Sequence, residues 1–457
     1  MKMKMKMFDL LQMLVSKSSS WLQQLPVQLI LLAVFLVLLY KWYSFRSSSV
    51  PPSPRKLPVM GNLHQISIYP HRSLEALAQI HGPLMLLHFG SKPVLIVSSA
   101  EAASQILKIH DLSFSDRPKT AFFKKLLYNF KDVAMAPYAL GRKYSDRGEG
   151  RGRTFMELSG EFMELLARIN IGDYIPWLAW YTRLNGLDAK LDSLAKRFDE
   201  FLDMVVQEHI DSSKGSEGDE DAGQKDLVDI LLSVQKEDTV GIPIDRVSIK
   251  AIILDMFVGG TNTTFTILEW AMSELLKHPS VMEKLKNEVR RIVGDRKGII
   301  TEDDLVEMNY LKALIKETLR LHPPVPLLMP RIATQDAKIN GYNIMSGTLV
   351  LVNAWQIGRD PKSYNEPEEF KPERFLNNVM DYKGNNGFQF IPFGAGRRSC
   401  PGIQFAMAVQ EIALANLVHK FDWMLPDGAR GEDLDMTENP SLNRNYPLQA
   451  LAIQYSC

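Results

Sequence analysis

Cysteine is scarce in this chain, with two in 457 residues, Cys400 and Cys457. Two cysteines build no disulfide framework, and a bridge from Cys400 to the last residue would be a poor staple, so a reducing compartment fits better. Neither charge is in surplus, since Lys+Arg and Asp+Glu each number 53. Without a basic excess the chain lacks the electrostatic footprint of a nucleic-acid binder. Internal repeats are absent as well. What remains, 46% hydrophobic and 23% charged residues, is ordinary globular composition with enough apolar mass for a large core.

Residues 25–43, LPVQLILLAVFLVLLYKWY, are apolar for about the length needed to cross a bilayer as one helix. A secretory signal peptide is the competing reading. Against it, Lys41, Trp42, Phe45 and Arg46 supply basic and aromatic interface anchors, and no small-x-small cleavage site follows. Lys2, Lys4, Lys6 and Lys17 precede the segment while Lys41, Arg46, Arg55 and Lys56 follow it, so the charges do not decide its orientation. Next comes Pro51-Pro52-Ser53-Pro54, then Leu57-Pro58-Val59-Met60-Gly61-Asn62, whose fixed φ angles make a stiff connector. The division is therefore an N-terminal segment 1–24, a transmembrane anchor 25–43, a proline-rich linker 44–62 and one large domain 63–457.

Within that domain, 84–89 and 94–98 alternate as the strands of a hairpin turned at Gly90-Ser91. Helical periodicity dominates from Thr154, broken by a Gly-, Ser- and acid-rich loop at 211–226. A long helix over 246–277 carries Gly259-Gly260-Thr261-Asn262-Thr263-Thr264 at its middle, where propensity alone disfavours so many poor formers. Shorter helices are predicted at 281–293, 311–321 and 404–420, with strands near 336–344 and 348–352. The fold class is mainly α with a smaller β part.

The strongest chemical signal is Phe393-Gly394-Ala395-Gly396-Arg397-Arg398-Ser399-Cys400-Pro401-Gly402, just before a predicted helix. Its five spaced positions F-x-x-G-x-R-x-C-x-G would arise by chance in a chain this long on the order of once in ten thousand times. Such a glycine-rich loop turns backbone N–H groups toward a sulfur, and the following helix adds its N-terminal dipole, so a thiolate is stabilised there. A buried inert cysteine in a tight turn is the bland alternative. The loop resembles the haem-binding signature of the cytochrome P-450 family, and the likeness extends over nearly the whole chain.

That resemblance implies haem b, with Cys400 as the axial iron ligand, Phe393 beside the sulfur, Arg398 on a propionate, and Gly396 and Gly402 shaping the loop. Arg117, in Ser115-Asp116-Arg117-Pro118, and Arg331 after Pro330 would contact propionates as well. Glu317-Thr318-Leu319-Arg320 matches the family's E-x-x-R helix, a pattern that recurs about once or twice by chance in this length. Glu288-Val289-Arg290-Arg291 matches equally and reads as a solvated helix face. Context selects Glu317: a proline-rich run to Pro330 follows it, and Phe370-Lys371-Pro372-Glu373-Arg374-Phe375 comes later. By resemblance Glu317, Arg320 and Arg374 form a buried structural cluster. The centre of the long helix looks like the family's oxygen groove, with Gly259 and Gly260 admitting a ligand at a break in hydrogen bonding, and Thr263 donating to the oxygen site. Asn262 departs from the usual acid, and an amide cannot ionise. Phe257, Val325, Leu327, Leu328 and Leu442 fall where the family lines its substrate pocket.

One family feature is missing. A W-x-x-x-R helix should follow Arg117, yet only Trp42/Arg46, beside the anchor, and Trp355/Arg359, in a later strand-to-turn region, have that spacing. Met135-Ala136-Pro137-Tyr138 resembles the run-up to that helix, whereas Ala139-Leu140-Gly141-Arg142-Lys143 resembles the end of a much later one. Three average helices with connections need on the order of 50 to 60 residues, so a block is inferred to be absent between Tyr138 and Ala139. The implied function is oxidation of a small hydrophobic metabolite with O2 and electrons from an NADPH-dependent reductase. The chain would sit single-pass in the endoplasmic reticulum membrane, with its catalytic domain cytosolic. The alternatives are a reductase-independent haem isomerase or dehydratase, and a truncated, haem-deficient membrane protein.

Overall fold

The computed structural model describes residues 49–128, 151–167, 170–215, 226–237, 244–294, 298–376, 380–382, 384–440 and 443–455, with isolated positions near the N-terminus. Among those positions Leu29, Leu32, Ala33, Phe35 and Leu36 are helical and exposed. The rest of the predicted anchor, the Tyr138–Ala139 junction and Leu442 lie outside the described residues. By contacts the chain forms two units, 1–51 with 340–343, and all the remainder. In the first, the Ser49 hydroxyl donates to the Gly341 carbonyl at 3.0 Å and Ser49 O accepts from Asn343 N–H at 2.7 Å.

The large unit starts at Pro52. Pro52 O accepts from Leu86 N–H at 2.9 Å, and buried Asn62 accepts from His88 N–H at 2.8 Å, so the end of the proline-rich linker is packed into the body. Helix α1 (Pro70–His81) opens with Pro in its first turn, where the missing N–H is no loss. The hairpin β1 (Leu84–Phe89) and β2 (Lys92–Val97) pairs Leu84 with Val97 around Gly90, whose φ is 57°. Then come α2 (Arg151–Ala167), α3 (Leu187–Gly215), α4 (Leu227–Glu237), the 32-residue α5 (Arg246–Lys277), α6 (Pro279–Val293) and α7 (Asn309–Leu321). Strand β3 (Arg331–Ile332) runs antiparallel to β4 (Leu349–Val352), and β4 lies parallel to β2, which gives the sheet order β1-β2-β4-β3. Helix α8 (Ile403–Lys420) leads into β5 (Phe421–Met424), paired antiparallel with β6 (Leu451–Gln454).

Helix α5 is long and apolar enough to cross a membrane, with mean hydropathy 1.3, but much of it is buried against α3, α6, α7 and α8. It is the core helix of the large unit. One cluster around α6, α7 and α8 and another around α3 and the first half of α5 make most of the apolar interior.

Two sequence expectations need correction here. The loop predicted from residue 211 begins later, because α3 continues to Gly215. The stretch Glu288–Arg291 is not a solvated face: Glu288 accepts from the Tyr310 and Leu311 N–H groups at 2.8 and 2.9 Å, and Arg290 stacks 3.5 Å from the Tyr455 ring. Glu288 thus satisfies two of the orphan donors at the start of α7.

Candidate functional site

Cys400 is half-buried three residues ahead of α8. The loop before it is held by its own backbone, with Gly394 N–H donating to Ile391 O at 3.0 Å, Ser399 N–H to Gly396 O at 3.0 Å, and Cys400 N–H to Phe393 O at 2.9 Å. Gly394 and Gly396 take φ values of 69° and 72°, open to glycine at little cost. At Gly396 the reason is also steric, since a Cβ there would stand 1.9 Å from the Leu107 carbonyl oxygen. The Gly402 backbone lies against the sulfur, and a Cβ on it would be 3.8 Å from Cys400 Sγ. Phe393 packs with Cys400 against the core and meets Tyr382 edge-to-face at 5.9 Å. Burial pushes the Cys400 thiol up, while a hydrogen bond from the Gly402 backbone works the other way.

Three guanidinium groups converge beside this loop. Arg331 is buried and holds only long bonds, Nη1 3.4 Å from Phe114 O and Nη2 3.3 Å from Ala395 O. Arg398 Nε donates to Ser115 O at 3.1 Å, and Arg117 Nη1 donates to Met329 O and Pro330 O at 2.9 and 3.0 Å. Burial, then the nearby charges of Arg117 and Arg398, push Arg331 down to about 10. Such crowding of cations is an anion-binding arrangement. Arg397 by contrast is paired with Asp111 at 2.7 Å, a contact that no sequence pattern marks.

Glu317, Arg320 and Arg374 are brought together, with Arg374 Nε 3.0 Å from Glu317 Oε1. Lys371 N–H adds a fourth donor at 2.8 Å.

In α5 the expected break in hydrogen bonding is absent, and the helix runs through residues 259–264 without interruption. Thr263 Oγ1 donates to Gly259 O at 2.5 Å and Thr266 Oγ1 contacts Asn262 O at 2.8 Å, so each hydroxyl shares a carbonyl one turn earlier with the backbone ladder, which continues through it. Gly259 and Gly260 face open space, since a Cβ on either would meet nothing within 4 Å. Asn262 Nδ2 is buried without a hydrogen-bond partner.

The pocket-lining candidates are not gathered in one cluster. Phe257 meets Phe201 edge-to-face at 6.4 Å in the α3–α5 core, and Leu327 packs against the core of the β1–β2 hairpin. Leu328 bonds through its N–H to Val325 O at 3.0 Å, has a φ of 51°, and lies 3.8 Å from where a Cβ on Gly394 would stand. It therefore borders the cysteine loop.

The family model described as Cytochrome P-450 matches residues 51–147 and 135–451. The chain belongs to the cytochrome P-450 family. It is similar to cytochrome P-450 736A117 of Prunus mume, 58% identical over 514 positions that cover 96% of this chain and 98% of that one. An alignment of 514 positions against 457 residues leaves at least 57 positions of the relative facing nothing here. It is also similar to a norfluorocurarine oxidase of Strychnos, 45% identical, covering 89% of this chain and 93% of that one. A solved zebrafish cytochrome P-450 with progesterone shares the fold at a TM-score of 0.67 and 23% identity, covering 84% of this chain and 98% of that one. As a cytochrome P-450 the chain is a monooxygenase, with haem as cofactor through a cysteine thiolate, and it uses O2, a substrate and a redox partner. The donor set fits haem: a half-buried thiol on the loop, and beside it a poorly satisfied buried arginine among two others, suited to an anionic rim.

Proposed function

We propose that Cys400 is the thiolate ligand of the haem iron, and that Arg117, Arg331 and Arg398 bind the propionates. The observation that carries this is the convergence of the three arginines beside the loop that presents Cys400. When bound, haem would supply an iron centre for oxygen activation, to which the Cys400 thiolate would donate electron density. Phe393 and the Gly402 backbone shield the sulfur, and Gly396 keeps the loop close to Leu107. Gly260 leaves ligand space beside α5. Thr263 carries the movable proton at Oγ1, and Asn262, which cannot ionise, leaves proton supply to water. Glu317, Arg320 and Arg374 are structural.

The substrate we infer is a small hydrophobic metabolite, in keeping with the relative named as a norfluorocurarine oxidase. Electrons would come from an NADPH-dependent cytochrome P-450 reductase. Residues 25–43 would anchor the chain single-pass in the endoplasmic reticulum membrane, leaving the catalytic body in the cytosol. Phe257, Val325, Leu327, Leu328 and Leu442 would line the substrate's path.

We also infer that a helical block is missing between Tyr138 and Ala139. The family match in two pieces that meet at 135–147 supports this, as does the excess of alignment positions over residues. Reduced protein treated with carbon monoxide tests the ligand assignment. Wild type should show a thiolate-type band and Cys400→Ala should lose it, whereas a variant retaining that band would refute Cys400.

A further inference from the structure

Thr266 lies one turn beyond Asn262 on α5, and its hydroxyl has two oxygen neighbours: Asn262 O at 2.8 Å and the Asn443 side-chain amide at 2.5 Å. A hydroxyl has one proton to give. Both contacts are satisfied if Thr266 donates to Asn262 O while the Asn443 amide turns its NH2 toward Thr266 Oγ1; the opposite order sets two acceptors face to face. The donors then run from Asn443 through Thr266 to the peptide of Asn262.

Farther along the same helix the pattern repeats. Leu448 N–H donates to Glu269 Oε1 at 3.0 Å, and buried Arg444 donates from Nη1 to Ser273 Oγ at 2.5 Å. Residues 266, 269 and 273 are spaced by three and four, so they share one face of α5. The far side is braced too, with Asn445 N–H on Thr437 O at 2.9 Å and Arg444 Nη2 on Asp435 O at 2.7 Å. Three directional contacts over about 10 Å of helix set both the distance and the angle of a segment, and a one-residue slip would break all of them.

We propose that Thr266, Asn443 and Arg444 are positioning residues that hold segment 443–448 in register with the groove residues Asn262 and Thr263. On the proposed reading that Leu442 lines the substrate's path and Thr263 faces the oxygen site, this register sets where a substrate stands relative to that site. Thr266 is the hinge of the device, because its hydroxyl joins the peptide of Asn262 to the segment.

Hydrogen exchange of the full chain, followed by mass spectrometry, reads the clasp directly. Thr266→Val and Asn443→Ala should each speed exchange at 443–448 up to about tenfold, as the loss of one part-buried hydrogen bond predicts. Thr266→Ser should match the parent, and the double variant should exchange no faster than either single one, since one contact is shared. In haem-loaded protein, imidazole should bind all variants alike, while 4-phenylimidazole affinity should change several-fold in Thr266→Val and Asn443→Ala and return in Thr266→Ser. Parent-like exchange in both disrupting variants, an equal change for the two azoles, or failure of serine to restore would each overturn the proposal. Should Thr266→Val not fold, Asn443→Ala against Thr266→Ser carries the same comparison.

Discussion

Arg320 grips Glu317 with one edge of its guanidinium: Nε stands 2.7 Å from Oε2 and Nη2 stands 2.7 Å from Oε1. Both side chains are fully buried, three residues apart on α7. Arg320 Nη1 reaches on to the carbonyls of Gly358 and Pro367 at 2.8 and 2.6 Å, and Arg374 bonds Asn365 O and Glu366 O at 2.6 and 2.8 Å. The carboxylate therefore ties one helix to two stretches of irregular chain that have no ladder of their own.

Removing one member strands buried charge. Glu317→Ala or Arg374→Ala should cost about 3–5 kcal/mol and lower the yield of folded protein more than the turnover of whatever folds. Denaturant midpoints and turnover per bound haem separate the two. Normal yield with selectively lost chemistry would make the cluster catalytic.

Arg331→Met should move two quantities in opposite directions. Removing one of three crowded cations leaves the haem-free chain as stable or more stable, while haem retention falls roughly ten- to a hundredfold for the loss of one charge-assisted bond. Thermal midpoints of haem-free protein and the rate of haem transfer to an acceptor protein check the pair of signs.

Glu438 sets an acid limit. Burial alone would raise its carboxyl, but hydrogen bonds from His71 at 2.9 Å and Arg72 at 2.7 Å outweigh that and hold it at about 2, below the ordinary 4.5. A folded value below the unfolded one contributes stability that is complete above about pH 4.5 and drains away as pH falls toward 2. Glu438→Gln should therefore be less stable than the parent at pH 6 and show a flatter acid limb between pH 4.5 and 2 in unfolding titrations.

Restoring a helical block between Tyr138 and Ala139 should raise haem occupancy and reductase-supported turnover. The tryptophan N–H and arginine expected in that block would contribute roughly 1.5 to 3 kcal/mol each, so haem affinity should improve a hundredfold or more. Equal haem-to-protein ratios in the two forms would show that the junction has been misread.

Local pattern alone carries the cysteine loop, the bounds of α5 and the turn at Gly90, because periodicity and glycine position record burial and backbone conformation one segment at a time. The E-x-x-R spacing was legible but not decisive: Glu288 and Glu317 have the same local pattern, and only packing makes the first a cap on α7 and the second a buried anchor for two arginines. Tertiary structure alone decided that Gly396 abuts the Leu107 carbonyl, that Arg397 pairs with Asp111, and that Thr266 meets Asn443 across 177 positions. It also closed the helix through residues 259–264, where poor formers had suggested a break. The physical reason is common to all of these. A side chain's own neighbours in sequence determine which conformations it favours, whereas its partner is set by the order in which helices and loops stack, and a hydrogen bond between distant residues leaves no period in the chain that could announce it.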